Sequence, residues 1–406
     1  MIFLLLLGCS VDGDKAHGVA DPTWSADVAP IVGKSCVGCH HAGGVGSTDF
    51  TAYATAAPMA AAMASYVAAD IMPPPAMDPT CREYAGHERM VLTAAERETL
   101  ANWADDGAPE GDPIAELTWA APALDRVDAE LVLPTAHAVT PGADGNEYYC
   151  QVLDNPFTQT TYVTGFDVLV DQPGVVHHAV LAIDTSGDAG AWTGESDLSD
   201  GWNCKGRITE DDWSMLHAWA PGMEPTAFSE GLGLRVEPGD QIVLQMHYFA
   251  DDADAGTLDQ SGYRLRTADS VTTEVYMAPV GPSGFSLPAG DVTTPEDRYL
   301  NEYGIDVTVY GVFPHMHLLA SAYSAVIESP AGDECLAKAD AWDFGHQATY
   351  LYDQPAVWSD GETLVTSCTY DNTSGNPNQY NDPPQAVTYG EGTTQEMCFF
   401  LFYFSY

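Results

Sequence analysis

Cationic side chains are scarce in this chain. Lys and Arg number 13 against 59 Asp and Glu, for a formal net charge of −46 over 406 residues. They are scattered, with no basic stripe, which argues against nucleic-acid binding, because phosphate neutralisation needs clustered cations. The acidic surface favours solubility, repels anionic surfaces and suits metal cations or a cationic redox partner. No segment carries an apolar run long enough to span a bilayer as a helix. Internal repeats and long low-complexity stretches are also missing. What remains is an ordinary globular composition, 45% apolar and 18% charged, long enough for two or three domains with real cores.

The longest leading apolar run, Met1-Ile2-Phe3-Leu4-Leu5-Leu6-Leu7, is of signal-peptide length and ends at Gly8-Cys9-Ser10. Leu6-Leu7-Gly8-Cys9 resembles a bacterial lipoprotein lipobox, although the basic n-region is missing. The expectation is a signal segment over residues 1–9, a lipid anchor on Cys9, and export to the bacterial periplasm or cell surface. Such a compartment lets disulfides persist.

Residues 22–113 have a helical pattern. Trp24 to His41 reads as one helix, an Ala-rich stretch runs from Tyr53 to Asp70, and Thr93-Ala94-Ala95-Glu96 is a capping box opening a helix closed by Gly107. Cys36-Val37-Gly38-Cys39-His40 is a CxxCH motif. Its thiols suit covalent haem c attachment, and His40 is placed to ligate the iron. A methionine sixth ligand would make an electron carrier. Met72, before Pro73-Pro74-Pro75, is the first choice, because a rigid loop can present it across the haem. Met59, Met63, Met77 and Met90 remain rivals. This stretch resembles c-type cytochrome domains with a Met-Pro-Pro segment. His41 is expected to face solvent.

Beyond the linker Gly107–Pro113 the pattern turns to strands broken by Gly, Pro, Asn and Asp. Tyr162 to Val170, Val175 to Ile183, Leu232 to Val236 and Ile242 to Phe249 belong to a first block, residues 120–268. Ile305 to Pro314, Ser324 to Glu328, Leu364 to Tyr370 and Met397 to Tyr406 belong to a second, residues 269–406. The fold class expected is mainly β: two jelly-roll-like β-sandwiches behind a small α-helical cytochrome c-like domain.

Three histidine clusters stand out. His315 and His317 are an i, i+2 pair, which a strand projects to one face. His177 and His178 are adjacent and need a bulge or strand end to reach one metal; Pro173-Gly174 allows such an irregularity. His247 stands alone in Leu244-Gln245-Met246-His247-Tyr248. With Met397 they offer five imidazoles and a thioether, a set suited to copper cycling between two oxidation states. His17, His87, His137, His217 and His346 read as ordinary core or surface residues.

These segments, in this order, resemble the copper type II, ascorbate-dependent monooxygenases of the peptidylglycine α-hydroxylating and dopamine β-hydroxylating kind. The resemblance runs over residues ~125 to 406, from Tyr162-Val163-Thr164-Gly165-Phe166 to Glu396-Met397-Cys398. It implies two copper ions, one held by His177, His178 and His247, the other by His315, His317 and Met397. It implies that oxygen is activated at the second, where those three ligands are catalytic, while the first stores and delivers an electron. It also implies disulfides Cys150–Cys204 and Cys368–Cys398, leaving Cys81 and Cys335 to pair or stay free. An arginine of the peptide-processing relatives falls here at Phe313, and their substrate-clamping Asn and Tyr fall at Phe399 and Leu401. Peptide amidation is therefore not expected, and a small neutral or apolar substrate is.

The implied activity is C–H hydroxylation of a small molecule with O2. Its electrons would arrive through the fused haem from an ascorbate-like reductant or a redox protein. The alternative is a non-catalytic exported haem–copper electron-transfer or copper-binding protein on the same scaffold.

Overall fold

The computed structural model describes residues 17–186, 201–204, 213–251 and 253–406. Cys9 and the leading apolar run lie outside them. Among the described residues, no helix is long and apolar enough to cross a membrane. The chain is mainly β, with a small N-terminal helical region. It divides into two compact units: residues up to Pro73 with Glu88–Ala120, and Pro74–His87 with Ala121–Tyr406.

The first unit is built on a short helical run, Trp24–Val28 and Ala29–Ser35, and the helices Ala60–Ala68 and Ala94–Asp105. Trp24, Val28, Val32, Leu100 and Trp103 form its core, with the two indole rings 5.7 Å apart. Burial of these large apolar faces is what holds such short helices together. The capping box closes as its residues suggest: Thr93 Oγ1 accepts from Glu96 N at 3.2 Å and Glu96 Oε2 accepts from Thr93 N at 2.8 Å. Gly107, at φ 80°, takes the left-handed position that ends the helix. The run from Trp24 stops at Ser35 instead of continuing to His41. Glycines at 38, 43, 44 and 46 lower helix propensity there, and Cys36–His40 forms a turn with His40 N donating to Cys36 O at 2.9 Å.

In the second unit, a six-stranded and a five-stranded sheet share one core. The first contains Ala129–Val132, Gly262–Ala268, Thr161–Leu169 and Leu232–Val236. The second runs Trp202–Asn203, Asn146–Leu153, Gln241–Phe249, Val176–Asp184, Trp213–Trp219. Val163, Phe166 and Tyr263 from one layer meet Leu181, Leu244 and Met246 from the other.

The C-terminal half adds a four-stranded sheet, Tyr276–Val280, Cys398–Ser405, Val307–Met316, Tyr350–Trp358, and a five-stranded sheet around Thr363–Asp371 and Ala320–Glu328. Thr363–Asp371 alternates buried and half-buried residues with period two, as a half-buried strand should. Phe313, Leu401 and Tyr403 of the four-stranded sheet join the core of the first pair of sheets. That shared core brings the two histidine-bearing regions side by side.

Disulfides tie Cys150 to Cys204, Cys368 to Cys398, and Cys81 to Cys335. The last explains why Pro74–His87 packs with the second unit, although its place in the chain falls within the helical stretch 22–113. Asp78 N donates to Lys338 O at 2.8 Å, Ala85 N to Leu351 O at 3.0 Å, and Arg82 pairs with Glu334. Met77 is fully buried there.

Candidate metal centres

His178 and His247 sit opposite one another on neighbouring antiparallel strands. The register then slips, with Tyr248 opposite Val176, so His177 is the extra residue of a bulge. A bulge lets two adjacent side chains serve one face, which regular pleating forbids. One nitrogen from each of His177, His178 and His247 can lie within 4.8 Å of the others. The ring centroids are 4.3 Å apart for His177 and His178 and 5.0 Å for His177 and His247. His177 Nδ1 is buried with no hydrogen-bond partner, an arrangement that costs stability unless something binds it.

His247 is 3% exposed. Its Nε2 lies 2.9 Å from Asn146 Oδ1. An amide oxygen only accepts, so Nε2 carries the proton and the Nδ1 lone pair is directed elsewhere, toward His178 Nδ1 at 3.3 Å. The Tyr148 ring stacks on His247 at 4.2 Å.

His315 is the penultimate residue of the strand Val307–Met316, and His317 follows just beyond its end. Their rings are 5.1 Å apart and nearly perpendicular. Each Nδ1 is tied down: His315 to Gln347 Oε1 at 2.7 Å, and His317 to the Gln395 carbonyl at 3.0 Å. Both partners accept, so both rings leave Nε2 free as a ligand. Buried Glu396 accepts from the main-chain N–H groups of His317 at 3.1 Å and Leu319 at 2.7 Å. It thereby fastens the His317 segment to the chain that carries Met397. Met397 is 5% exposed, and the disulfide at Cys398 anchors its neighbour.

All five histidines have depressed pKa values, chiefly through burial. His177 falls to about 4 and His317 to about 3, while His178, His247 and His315 are also lowered. Their hydrogen-bond partners are amides, main-chain carbonyls and one another, not carboxylates. Neutral imidazoles crowded together without counter-charges are poor salt-bridge formers and good metal ligands. The donor set fits copper: three imidazoles grouped in one cluster, and His315, His317 and the Met397 side chain lining one cavity beside it.

A cavity of about 170 Å³ is lined by His178, His247, His315, His317 and Met397 together. His178 and His315 are 5.6 Å apart, ring to ring, so the two clusters adjoin. Phe344 stands against both, 5.2 Å from His177 and 6.0 Å from His317. Phe313, Phe399 and Leu401 line the same cavity, giving it an apolar wall. Glu391 is the acidic side chain in that lining, and burial pushes its carboxyl up to about 7.

In the first unit, His40 Nδ1 lies 2.9 Å from Thr48 O, and its ring stacks on Phe50 at 4.6 Å. The carbonyl fixes the proton on Nδ1, leaving Nε2 for a metal. A Cβ at Gly46 would sit 2.5 Å from that ring, so only glycine fits beside it. Cys36 and Cys39 take no part in the three disulfides, and burial pushes the Cys36 thiol up to about 12. These residues fit a covalently held haem. His41, expected to face solvent, is half-buried, with Nδ1 2.8 Å from Val37 O. Met72 is 37% exposed, Met63 is buried in the unit's core, and Met77 belongs to the other unit.

His217 and His137, outside these clusters, have protein partners. His217 is buried between Tyr263 OH at 3.3 Å and Thr226 Oγ1 at 3.0 Å, and His137 lies 2.8 Å from Glu147 Oε1. Asn146, Phe344 and Gln347 escape sequence reasoning, and so does the hold of Glu396 on His317 and Leu319, although Glu396 lies in the segment Glu396-Met397-Cys398. Nothing in their local pattern marks them, since each acts across a long sequence separation.

Residues 290–406 match the family model described as the C-terminal domain of copper type II ascorbate-dependent monooxygenases, which supports that family and copper as its metal. No curated protein matches the chain. Among solved structures, the chain is similar to the infectious bursal disease virus VP2 subviral particle, at 11% identity and TM-score 0.16, covering 71% of this chain and 79% of that one. T=1 particles derived from infectious bursal virus give 11% identity and TM-score 0.17, covering 68% and 73%. At these scores the likeness carries no argument.

Proposed function

We propose that this chain is a copper-dependent monooxygenase. It hydroxylates a C–H bond of a small neutral or apolar substrate: R–H, O2, two electrons and two protons give R–OH and water. The observation that carries this is the convergence of His178, His247, His315, His317 and Met397 on one cavity with an apolar wall.

His177, His178 and His247 would hold one copper, and His315, His317 and Met397 the other. When bound, copper supplies one-electron redox chemistry toward O2. The protein's own groups do the rest. Asn146, Gln347 and the Gln395 carbonyl set the ring tautomers. Phe313, Phe399 and Leu401 bind the apolar part of a substrate and exclude water. Phe313, Phe399 and Leu401 offer no cation for a substrate carboxylate, which disfavours peptides.

Cys36, Cys39, His40 and Met72 would hold haem c in the first unit, making it the route by which electrons enter from a reductant or redox protein. The lipobox-like Cys9 supports export and membrane attachment through lipid.

Copper and haem content, measured on purified haem-matured protein together with O2 uptake across a substrate panel, tests this reading. About two coppers per haem and O2 uptake matched by alcohol formation are expected. Bound copper without product from any substrate would instead mark an electron carrier.

A further inference from the structure

Gln347 lies between the strands Glu334–Ala339 and Tyr350–Trp358 and is 1% exposed. Its Nε2 is 3.1 Å from the Phe344 carbonyl. A carbonyl only accepts, so the amide's orientation is determined: nitrogen toward Phe344, oxygen toward His315. The oxygen accepts from His315 Nδ1 at 2.7 Å. The second amide hydrogen faces His178 Nε2, 3.4 Å away. One side chain thus touches a histidine of each cluster.

The hydrogen bonds then run in one direction. His315 Nδ1 donates to Gln347, and Gln347 donates to His178 Nε2. His178 Nδ1 donates to His247 Nδ1, and His247 Nε2 donates to Asn146. No ring in this chain can change its tautomer without disturbing the next.

We propose that Gln347 is a positioning residue shared by the two copper sites, and that it couples their loading. The proposal rests on the copper reading above. A metal at the first cluster needs a lone pair from His178. Taken from Nδ1, it drives the ring proton to Nε2, where two donors then face each other. Taken from Nε2, it strips Gln347 of an acceptor. The Phe344 carbonyl keeps the amide from turning over, so relief comes from Gln347 moving away from His178, which loosens its hold on His315 Nδ1 and with it the tautomer that leaves His315 Nε2 for the second cluster. Loading of the first cluster therefore weakens the second.

The test is Cu(I) binding to the full haem-matured protein, by competition with a chelator, with the second site identified by its copper–sulfur signal in X-ray absorption. In the unaltered protein, second-site affinity should be lower with the first site loaded than in His247→Ala, by a factor within the usual range for coupled sites, about 5–150-fold. Gln347→Glu presents oxygen to both histidines, so this ratio should fall to one while the second site still binds. Gln347→Leu removes the acceptor from His315 and should weaken the second site by about 10–100-fold. Two coppers bound with a ratio of one in the unaltered protein would overturn the coupling alone. So would a ratio unchanged in Gln347→Glu. Failure to bind any copper would overturn the proposed function, and the coupling with it.

Discussion

Asn146 holds His247 by a side-chain hydrogen bond, Oδ1 to Nε2 at 2.9 Å. Thr393 Oγ1 donates to the same oxygen at 2.8 Å, so the amide oxygen is committed as an acceptor. This bond selects the His247 tautomer whose Nδ1 lone pair faces the cluster. Outer partners of this kind are worth about 10–100-fold in metal affinity. Asn146→Ala should therefore weaken copper at the first ligand set by that factor and leave the copper–sulfur site intact. Asn146→Asp, which keeps an acceptor, should bind close to normally. Chelator competition on both variants checks this, and equal affinity in Asn146→Ala would remove the residue from the site's support.

The Cys81–Cys335 bond crosses 254 residues of sequence and fastens Pro74–His87 to the second unit. Losing a native disulfide costs about 2–5 kcal/mol. Hydrogen bonds at Asp78 and Ala85 and the burial of Met77 and Tyr84 remain as secondary fasteners. Replacing both cysteines by serine should lower stability within that range in a denaturant titration. It should also open this segment to protease before the β-sheets are cut. An unchanged midpoint would mean that packing alone holds the segment.

Much of this was legible in the chain because the signals were local. Glu237-Pro238-Gly239-Asp240 reads as a turn, and the structure closes it with Asp240 N donating to Glu237 O at 3.1 Å. A strand-like run between turn residues marked Leu364 to Tyr370, observed at Thr363–Asp371, and the adjacent histidines needed a bulge or a strand end, of which the structure shows a bulge at His177. What stayed hidden was non-local. Gln347 is an unremarkable loop glutamine until folding sets it between His178 and His315. Pro74–His87 reads as part of a helical region because a disulfide partner hundreds of residues away leaves no local trace. The helix expected to reach His41 ends at Ser35, where local glycines and the Thr48 contact to His40 outweigh the preceding pattern.

Stability without copper should fall on acidification. Unfolded histidine takes up protons near 6.5, whereas folded His177 does so only near 4, and His317 and His217 only near 3. Across that window the unfolded state binds more protons, so stability is complete above about 6.5 and is lost as pH falls toward 4. Glu391 and Glu396 act oppositely. Burial raises them from 4.5 to about 7 and about 8, so each favours the folded state as pH falls through those values. The lowered histidines, which also include His178, His247, His315 and His346, outnumber these two carboxyls. The urea midpoint of copper-free protein should therefore drop between pH 6.5 and 4.5. A midpoint that rises over this interval would contradict the burial of the neutral cluster.

Met397 offers the sharpest separation of chemistry from folding. Its side chain is buried, its carbonyl accepts from Tyr370 OH, and the next residue is held by the disulfide to Cys368. The backbone around it is therefore fixed by groups other than its sulfur. Leucine fills nearly the same volume, so Met397→Leu should cost less than about 1.5 kcal/mol of stability. The three disulfides and the haem spectrum should be unchanged. What it removes is the soft donor that favours Cu(I). The copper–sulfur signal should vanish, and hydroxylation should fall roughly 100-fold, the upper range for disturbing a metal's ligand environment. If the sulfur signal is lost while product formation persists at the original rate, Met397 ligates copper but the hydroxylation chemistry runs without its sulfur.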